Sequence, residues 1–272
     1  MKNINNVIKK KTNKPAIVLS TAIEKGGAGK TTTAIELLAA LSNDGYKCLG
    51  IDLDQQRDMS IYLDADLSLP GIYEALIIDK EVHETIQHLR FCDLISASAK
   101  LSKADKAFVD EDDELLLKEI ISSIQDEYDV IVLDGQPGRS MLTRMQAIAT
   151  NYYIVTCDSD KGSIIGLIDL HKDLQRFRSK NETKAVISHI VHIRKERATC
   201  VKLKEEELQE TYIPAIAKEQ NFGISYFGIA KSTVCSDVKD ISMSIQEYSF
   251  TSPVARDYRK LVKDIEKKFL GQ

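Results

Sequence analysis

Glu24-Lys25-Gly26-Gly27-Ala28-Gly29-Lys30-Thr31-Thr32 decides how this chain is read. An apolar run, Ala16-Ile17-Val18-Leu19, precedes it, and a stretch of helical periodicity from Thr33 to Leu41 follows it. The segment is therefore a glycine-rich turn from a buried strand into a helix. With three glycines in four residues, little side chain shields the backbone. Successive N–H groups can converge on phosphate oxygens at a helix N-terminus, where the dipole also favours anions. Lys30 is long enough to reach the outer phosphates, and the Thr31 hydroxyl stands where a Mg²⁺ ligand is needed. A flexible surface turn is the bland reading. It does not explain why strand, loop and helix follow in the order that phosphate binding requires.

The stretch departs from the ordinary G-x-x-x-x-G-K-[ST] pattern, because Glu24 stands where the first glycine belongs and Lys25 precedes the glycine pair. This K-G-G-x-G-K-T arrangement resembles the deviant Walker A box of the ParA/MinD family of partition and positioning ATPases. The resemblance implies that Lys25, Gly26, Gly27, Ala28, Gly29, Lys30, Thr31 and Thr32 hold ATP. It also implies that Lys25 reaches across a homodimer to the partner's nucleotide.

Two further stretches belong with it. In Cys48-Leu49-Gly50-Ile51-Asp52-Leu53-Asp54-Gln55-Gln56, apolar residues lead into two carboxylates at a strand's C-terminal end, the edge where open α/β sheets bind ligands. This is similar to the family's D-x-D-x-Q box, with Gln55 in place of the usual proline. The resemblance puts Asp52 near the Mg²⁺ shell and Asp54 beside the attacking water, so Lys25, Lys30 and Asp54 are the catalytic candidates. Tyr128-Asp129-Val130-Ile131-Val132-Leu133-Asp134 is a β-branched run that delivers one carboxylate, as a Walker B strand does. Thr31, Asp52 and Asp134 are thus the candidate metal residues. The following Gly135-Gln136-Pro137 keeps only the second proline of the family's loop, and Gln136 is a candidate contact for the γ-phosphate or the water.

The rest of the chain alternates in the same way. Strands are expected over 90–98, 151–157, 184–191 and 223–229. Helices are expected after Pro70-Gly71, from the acidic block 110–114 to Ile124, over 162–177 and 201–219, and in the closing segment 245–261. The alternation predicts an α/β fold: a doubly wound, mostly parallel sheet flanked by helices, of P-loop NTPase type. Residues 1–14, with Lys2, Lys9, Lys10, Lys11 and Lys14 and no acid, read as a flexible basic tail, and 15–272 as a single ATPase domain. The tail is too short for the helix-turn-helix domain that many plasmid members of the family carry.

At 272 residues with 43% hydrophobic and 29% charged residues, the composition is that of a globular protein, not a disordered one. The formal net charge of −4 excludes a bulk polycation but leaves room for a local basic patch. Five cysteines lie scattered with no C-x-x-C spacing, which argues for a reducing cytosol and against zinc, disulfides or an iron–sulfur bridge. His189 and His192 read as core or surface residues and not as ligands. No apolar run reaches about 18 residues, so no transmembrane helix is expected.

The family resemblance covers about residues 16–270. It implies ATP and Mg²⁺ as cofactors, an ATP-bound homodimer, and non-specific, phosphate-directed DNA binding. It further implies a ParB-like centromere-binding partner and a cytoplasmic, nucleoid-associated location. Arg194, Lys195 and Arg197, with Lys231 in a later loop, are the candidate DNA contacts, although Glu205-Glu206-Glu207 follow closely. Ala230-Lys231 replaces the family's proline–arginine pair, so no adenine contact is assigned. GTP is disfavoured because the chain has no Asn-Lys-x-Asp motif. The alternative is a MinD-like membrane-cycling ATPase, which needs the stripe Leu261, Val262, Ile265, Phe269 and Leu270 free for lipid. The same spacing describes a helix packed on the domain, and membrane binding is not expected. A metabolic ligase or kinase of this fold should offer further substrate-binding polar residues, and none stands out. A dead adaptor should lack one of Lys30, Thr31, Asp54 and Asp134, and all four are present.

Overall fold

The computed structural model describes residues 11–22, 29–108, 110–158, 161–195 and 205–271. In chain order its elements are β1 (Ile17–Ala22), α1 (Lys30–Asn43), β2 (Cys48–Asp52), α2 (Asp58–Tyr62), α3 (Ile72–Ile77), β3 (Ile86–His88) and β4 (Asp93–Ile95). Then come α4 (Ala104–Ala107), α5 (Leu116–Ile124), β5 (Val130–Asp134), α6 (Met141–Ala149), β6 (Tyr152–Cys157) and α7 (Lys161–Ser179). The chain closes with β7 (Val186–Lys195), α8 (Ile213–Gln220), β8 (Ser225–Ala230), α9 (Val234–Asp240), α10 (Ile245–Tyr248) and α11 (Pro253–Ile265).

The strands form one eight-stranded sheet in the order β3-β4-β2-β5-β1-β6-β7-β8. Every neighbouring pair is parallel except β3 with β4, so the expectation of a mostly parallel, doubly wound sheet holds. Continuous apolar runs form these strands because both faces are covered, and alternate residues serve opposite faces. Leu19, Val130, Val132 and Ile154 pack with α1 and α11 on one face. Val18, Ile131 and Leu133 pack with α3, α5 and α6 on the other, where Tyr153 and Val155 meet α7. Gly50 has its place in this scheme: a Cβ there would lie 3.0 Å from Leu38 of α1 and 3.1 Å from Leu94 of β4.

The C-terminal stripe is part of the first core. Leu261, Val262 and Ile265 are fully buried, and Phe269 stacks on Tyr152 with centroids 3.8 Å apart. Ser252 caps α11 by accepting from Ala255 N at 3.2 Å, worth about 1 kcal/mol. His189 is buried against this helix with its Nε2 3.1 Å from Asp264 Oδ2. Burial pushes it down to about 4, so it is a neutral core histidine, as its isolation in the sequence implied.

The described chain begins against the start of β5. Lys11 N and Thr12 N donate to the Asp129 carboxylate at 2.8 and 2.6 Å, and Lys47 N donates to it at 2.9 Å. Lys11 Nζ also lies 4.1 Å above the Tyr46 ring. One carboxylate at the start of β5 thus gathers three backbone donors, two of them from Lys11 and Thr12.

Glu36 ties the closing segment to α1. It is 1% exposed and accepts from Ile245 N at 2.6 Å and Gln246 Nε2 at 3.2 Å. Burial outweighs these bonds and raises its carboxyl to about 7. The folded state thus binds a proton that the unfolded state releases near 4.5, and stability should fall as pH rises from about 4.5 to 7. Glu36→Gln should remove up to roughly 3 kcal/mol of that pH dependence, read as urea midpoints of both proteins across the window. Equal slopes would refute the assignment.

Candidate functional site

The C-terminal ends of β1, β5 and β2 lie side by side. Thr21 is registered with Asp134, and Asp134 with Asp52. This places a hydroxyl and two carboxylates in one row at the edge where β1 leads into α1. Gly29 makes that turn: its φ of +84° lies in the left-handed region, and a Cβ there would meet Ile193 Cγ1 at 3.1 Å. Helix α1 starts directly after it at Lys30, with Thr33 N donating to Gly29 O at 2.9 Å. The N-cap Gly29 has no side chain to cap this N-terminus, which leaves its first amide groups to a ligand.

Gly29, Lys30, Thr31, Thr32 and Asp54 line one cleft of about 280 Å³. The structure thus brings together the described part of the predicted phosphate loop and the predicted water-positioning carboxylate. Lys25, Gly26, Gly27 and Ala28 lie outside the described residues.

The two buried carboxylates differ in what they hold. Asp52 has both oxygens engaged: Oδ2 accepts from Ser60 N at 2.9 Å and Ser60 Oγ at 2.7 Å, and Oδ1 from Asp54 N at 3.1 Å. Ser60 Oγ in turn accepts from Ala97 N at 2.9 Å. Asp52 therefore fixes α2 and the 52–54 turn. Asp134 accepts from Thr21 Oγ1 at 3.1 Å on Oδ1, while its buried Oδ2 has no hydrogen-bond partner. Burial raises both carboxyls, with the Asp134 charge adding to the rise at Asp52. The Thr31 hydroxyl and the Lys30 charge partly offset the rise at Asp134.

An orphaned carboxylate oxygen beside a threonine hydroxyl fits a cation. Among the described residues no group of three or more His, Cys, Asp or Glu could cage a metal ion. A carboxylate oxygen with a hydroxyl suits Mg²⁺, which keeps waters and takes substrate phosphates alongside one or two carboxylates.

The cleft also holds residues that the sequence did not single out. Asp58 lines it, as does Lys239 of α9, whose Nζ lies 4.9 Å above the Tyr62 ring. Lys239 sits in an ordinary charged stretch, and only the fold brings it to the site. Gln136 lines the cleft as expected, and its Nε2 donates to Ser140 Oγ at 2.7 Å.

The candidate DNA contacts are grouped less completely. Lys195 ends β7 in register with Ala230, which puts Lys195 and Lys231 at adjacent strand ends on the cleft's edge of the sheet. Lys231 is exposed. The side chains of Arg194 and Lys195, and all of Arg197, lie outside the described residues. Of the neighbouring acids, Glu205 is turned to the sheet, accepting from Tyr226 Oη at 2.8 Å, while Glu206 and Glu207 are exposed.

Comparisons with known proteins agree with this geometry. Residues 16–187 match the family model described as AAA domain. The chain is 32% identical over 251 residues to the chromosome-partitioning ATPase Soj of Treponema pallidum, covering 89% of this chain and 94% of that one. An ATP complex of Cyanothece McdA superposes with a TM-score of 0.80 at 19% identity, covering 92% of this chain and 95% of that one. The septum site-determining protein MinD of Pyrococcus horikoshii, complexed with Mg-ADP, gives 0.73 at 21% identity, covering 94% and 98%. The two superpositions establish a shared fold.

Proposed function

The chain belongs to the ParA/MinD family of P-loop ATPases, and from that premise we propose that it is a Mg²⁺-dependent partition ATPase that cycles on DNA. The observation that carries the reading is the buried, unpartnered Asp134 Oδ2 standing with Thr31, Lys30 and Asp54 where the ends of β1, β5 and β2 converge.

In this reading the amide groups at the start of α1 and Lys30 bind the phosphates of ATP, and Thr31 and Asp134 hold Mg²⁺. Asp52 braces the turn that carries Asp54. The metal supplies charge neutralisation at the transferred phosphoryl group. Asp54 orients the attacking water, and Lys30 offsets charge that develops on the leaving phosphate. Lys25 is assigned to the partner's nucleotide across an ATP-bound homodimer. DNA is held through phosphates by basic residues at the β7 and β8 ends, with Arg194, Lys195, Arg197 and Lys231 as the candidates. A ParB-like partner stimulates hydrolysis and release.

Membrane cycling has less support, since Leu261, Val262, Ile265 and Phe269 are committed to the core. Among the described residues no helix is long and apolar enough to cross a membrane.

The test is binding to random-sequence DNA with ATP, with ADP, and as Lys30→Ala with ATP. The expected result is ATP-dependent binding that weakens steeply with salt and disappears in Lys30→Ala. If the ATP-loaded protein ignores DNA at low salt, the DNA matrix is wrong, and liposomes become the next surface to try.

A further inference from the structure

A cavity of about 170 Å³, partly open to solvent, lies between α6 and α7, separate from the nucleotide cleft. Its floor is apolar: Ala147, Tyr153, Leu170, Leu174 and Phe177. A lined cavity of similar size, about 150 Å³, holds benzene. Polar residues, among them Thr21, Ser140, Thr143 and Gln146, complete the lining. Gln146 is 4% exposed, and its buried Nε2 has no hydrogen-bond partner. A buried donor without an acceptor is costly, and an external acceptor would relieve it.

The mouth carries no unbalanced charge. Arg139 Nε lies 2.9 Å from Asp173 Oδ2, and Arg144 lies 2.6 Å from Glu114 and 3.3 Å from Glu182. Arg176, which also lines the cavity, shares Asp173 at 3.9 Å, so three guanidinium groups face three carboxylates, and the site favours a neutral molecule over an anion.

The cavity also adjoins the catalytic strand. The Gln146 amide packs so closely on Gly135, the residue after Asp134, that a Cβ there would lie 1.9 Å from Gln146 Oε1. Gln136 lines both this cavity and the nucleotide cleft, and its bond to Ser140 anchors it to the start of α6.

We propose that this cavity is a second ligand site, for an uncharged molecule of about one ring bearing a carbonyl oxygen that accepts from Gln146 Nε2. The ring lies on Leu170, Leu174 and Phe177, and the carbonyl points toward Gly135. Because Gln136 is shared, occupancy changes nucleotide affinity, and nucleotide changes ligand affinity by the same factor. Binding itself does not depend on the partition reading, so the two can fail separately.

Benzamide is the probe, titrated calorimetrically into the full chain, with toluene as the control that lacks an acceptor. Two variants are used, each first checked for an unchanged thermal midpoint. Leu170→Trp fills the cavity from its half-buried wall, and Gln146→Met removes the donor at similar volume. One benzamide per chain is expected. Leu170→Trp should weaken it at least tenfold. Gln146→Met should weaken benzamide about fivefold while leaving toluene within twofold. Saturating benzamide should change ATP affinity by at least twofold. The site is overturned if benzamide does not bind, or binds both variants as it binds the parent. Equal losses of benzamide and toluene in Gln146→Met overturn the carbonyl assignment. An unchanged ATP affinity overturns the coupling through Gln136.

Discussion

Asp134→Asn is expected to lower ATP hydrolysis on the order of a thousandfold, since a bound metal stabilises phosphoryl-transfer charge by several kcal/mol. The same substitution should not destabilise the metal-free fold. Asp134 and Asp52 are direct neighbours in the β5–β2 register, both buried, and both held above the usual carboxylate range by that burial. A neutral amide at 134 relieves the charge that Asp52 faces, and its oxygen can still accept from Thr21 Oγ1. Without a cation, and near pH 7.5, the thermal midpoint of Asp134→Asn should match or exceed the parent's. Addition of Mg²⁺ with nucleotide should raise the parent's midpoint much more than the variant's. A full Mg²⁺-dependent rise in Asp134→Asn would remove Asp134 from the metal's ligands. A collapse of the metal-free fold would show that the carboxylate is structural.

That prediction separates two aspartates which the sequence presents as equals. Asp52 and Asp134 each end an apolar strand, and the family resemblance puts both near Mg²⁺. The distinction comes from Ser60, whose N–H and hydroxyl occupy Asp52 Oδ2. Helix α2, which carries Ser60, is five residues long and has no periodicity to reveal it. Its stability comes from that tertiary contact. Strand β3 escaped notice for a related reason: Ile86-Gln87-His88 is a three-residue edge with a single apolar residue. The central strands were legible because burial on both faces demands unbroken apolar runs. The turn at Gly29 was legible because phosphate binding demands bare backbone.

Elsewhere the sequence carried the residues but not their placement. Lys11 lies in a lysine-rich stretch whose side chains argue for solvent. What orders it is its backbone N–H, which finds Asp129 more than a hundred positions away. Lys239 and Gln146 are single polar residues in ordinary helices. Each acquires meaning only when α9 closes on α1 or α6 on α7, and local pattern cannot report such contacts. The C-terminal helix was the opposite case: its apolar stripe was plain, but two destinations fitted it. Packing against Tyr152 and the first-face core decides between them.

Asp54→Ala should produce the other large effect, and of a different kind from Lys30→Ala. Lys30 is almost fully buried at the first position of α1, beside Asp134, so on the proposed assignment its loss would remove a phosphate contact present in every nucleotide state. Asp54 lies past the end of β2 at the cleft wall, where its Oδ1 accepts from Gln56 N at 2.9 Å and its main-chain carbonyl accepts from Arg57 N. It is held by its own turn, and a carboxylate beside bound phosphates repels the ground state. Removing it should leave ATP affinity equal or tighter while hydrolysis falls about a hundred- to thousandfold. Because Asp52 still clamps Ser60, the fold around the turn should persist, with a thermal midpoint within a few degrees of the parent's. The proposed DNA cycle gives this a further consequence. Lys30→Ala should never reach DNA, whereas Asp54→Ala should reach it with ATP and stay. The checks are single-turnover hydrolysis, ATP affinity, and dissociation from DNA after excess ADP is added. Loss of ATP binding in Asp54→Ala would place the carboxylate in the binding machinery. Unimpaired turnover would assign the attacking water to another group in the cleft, with Gln136 the first to substitute.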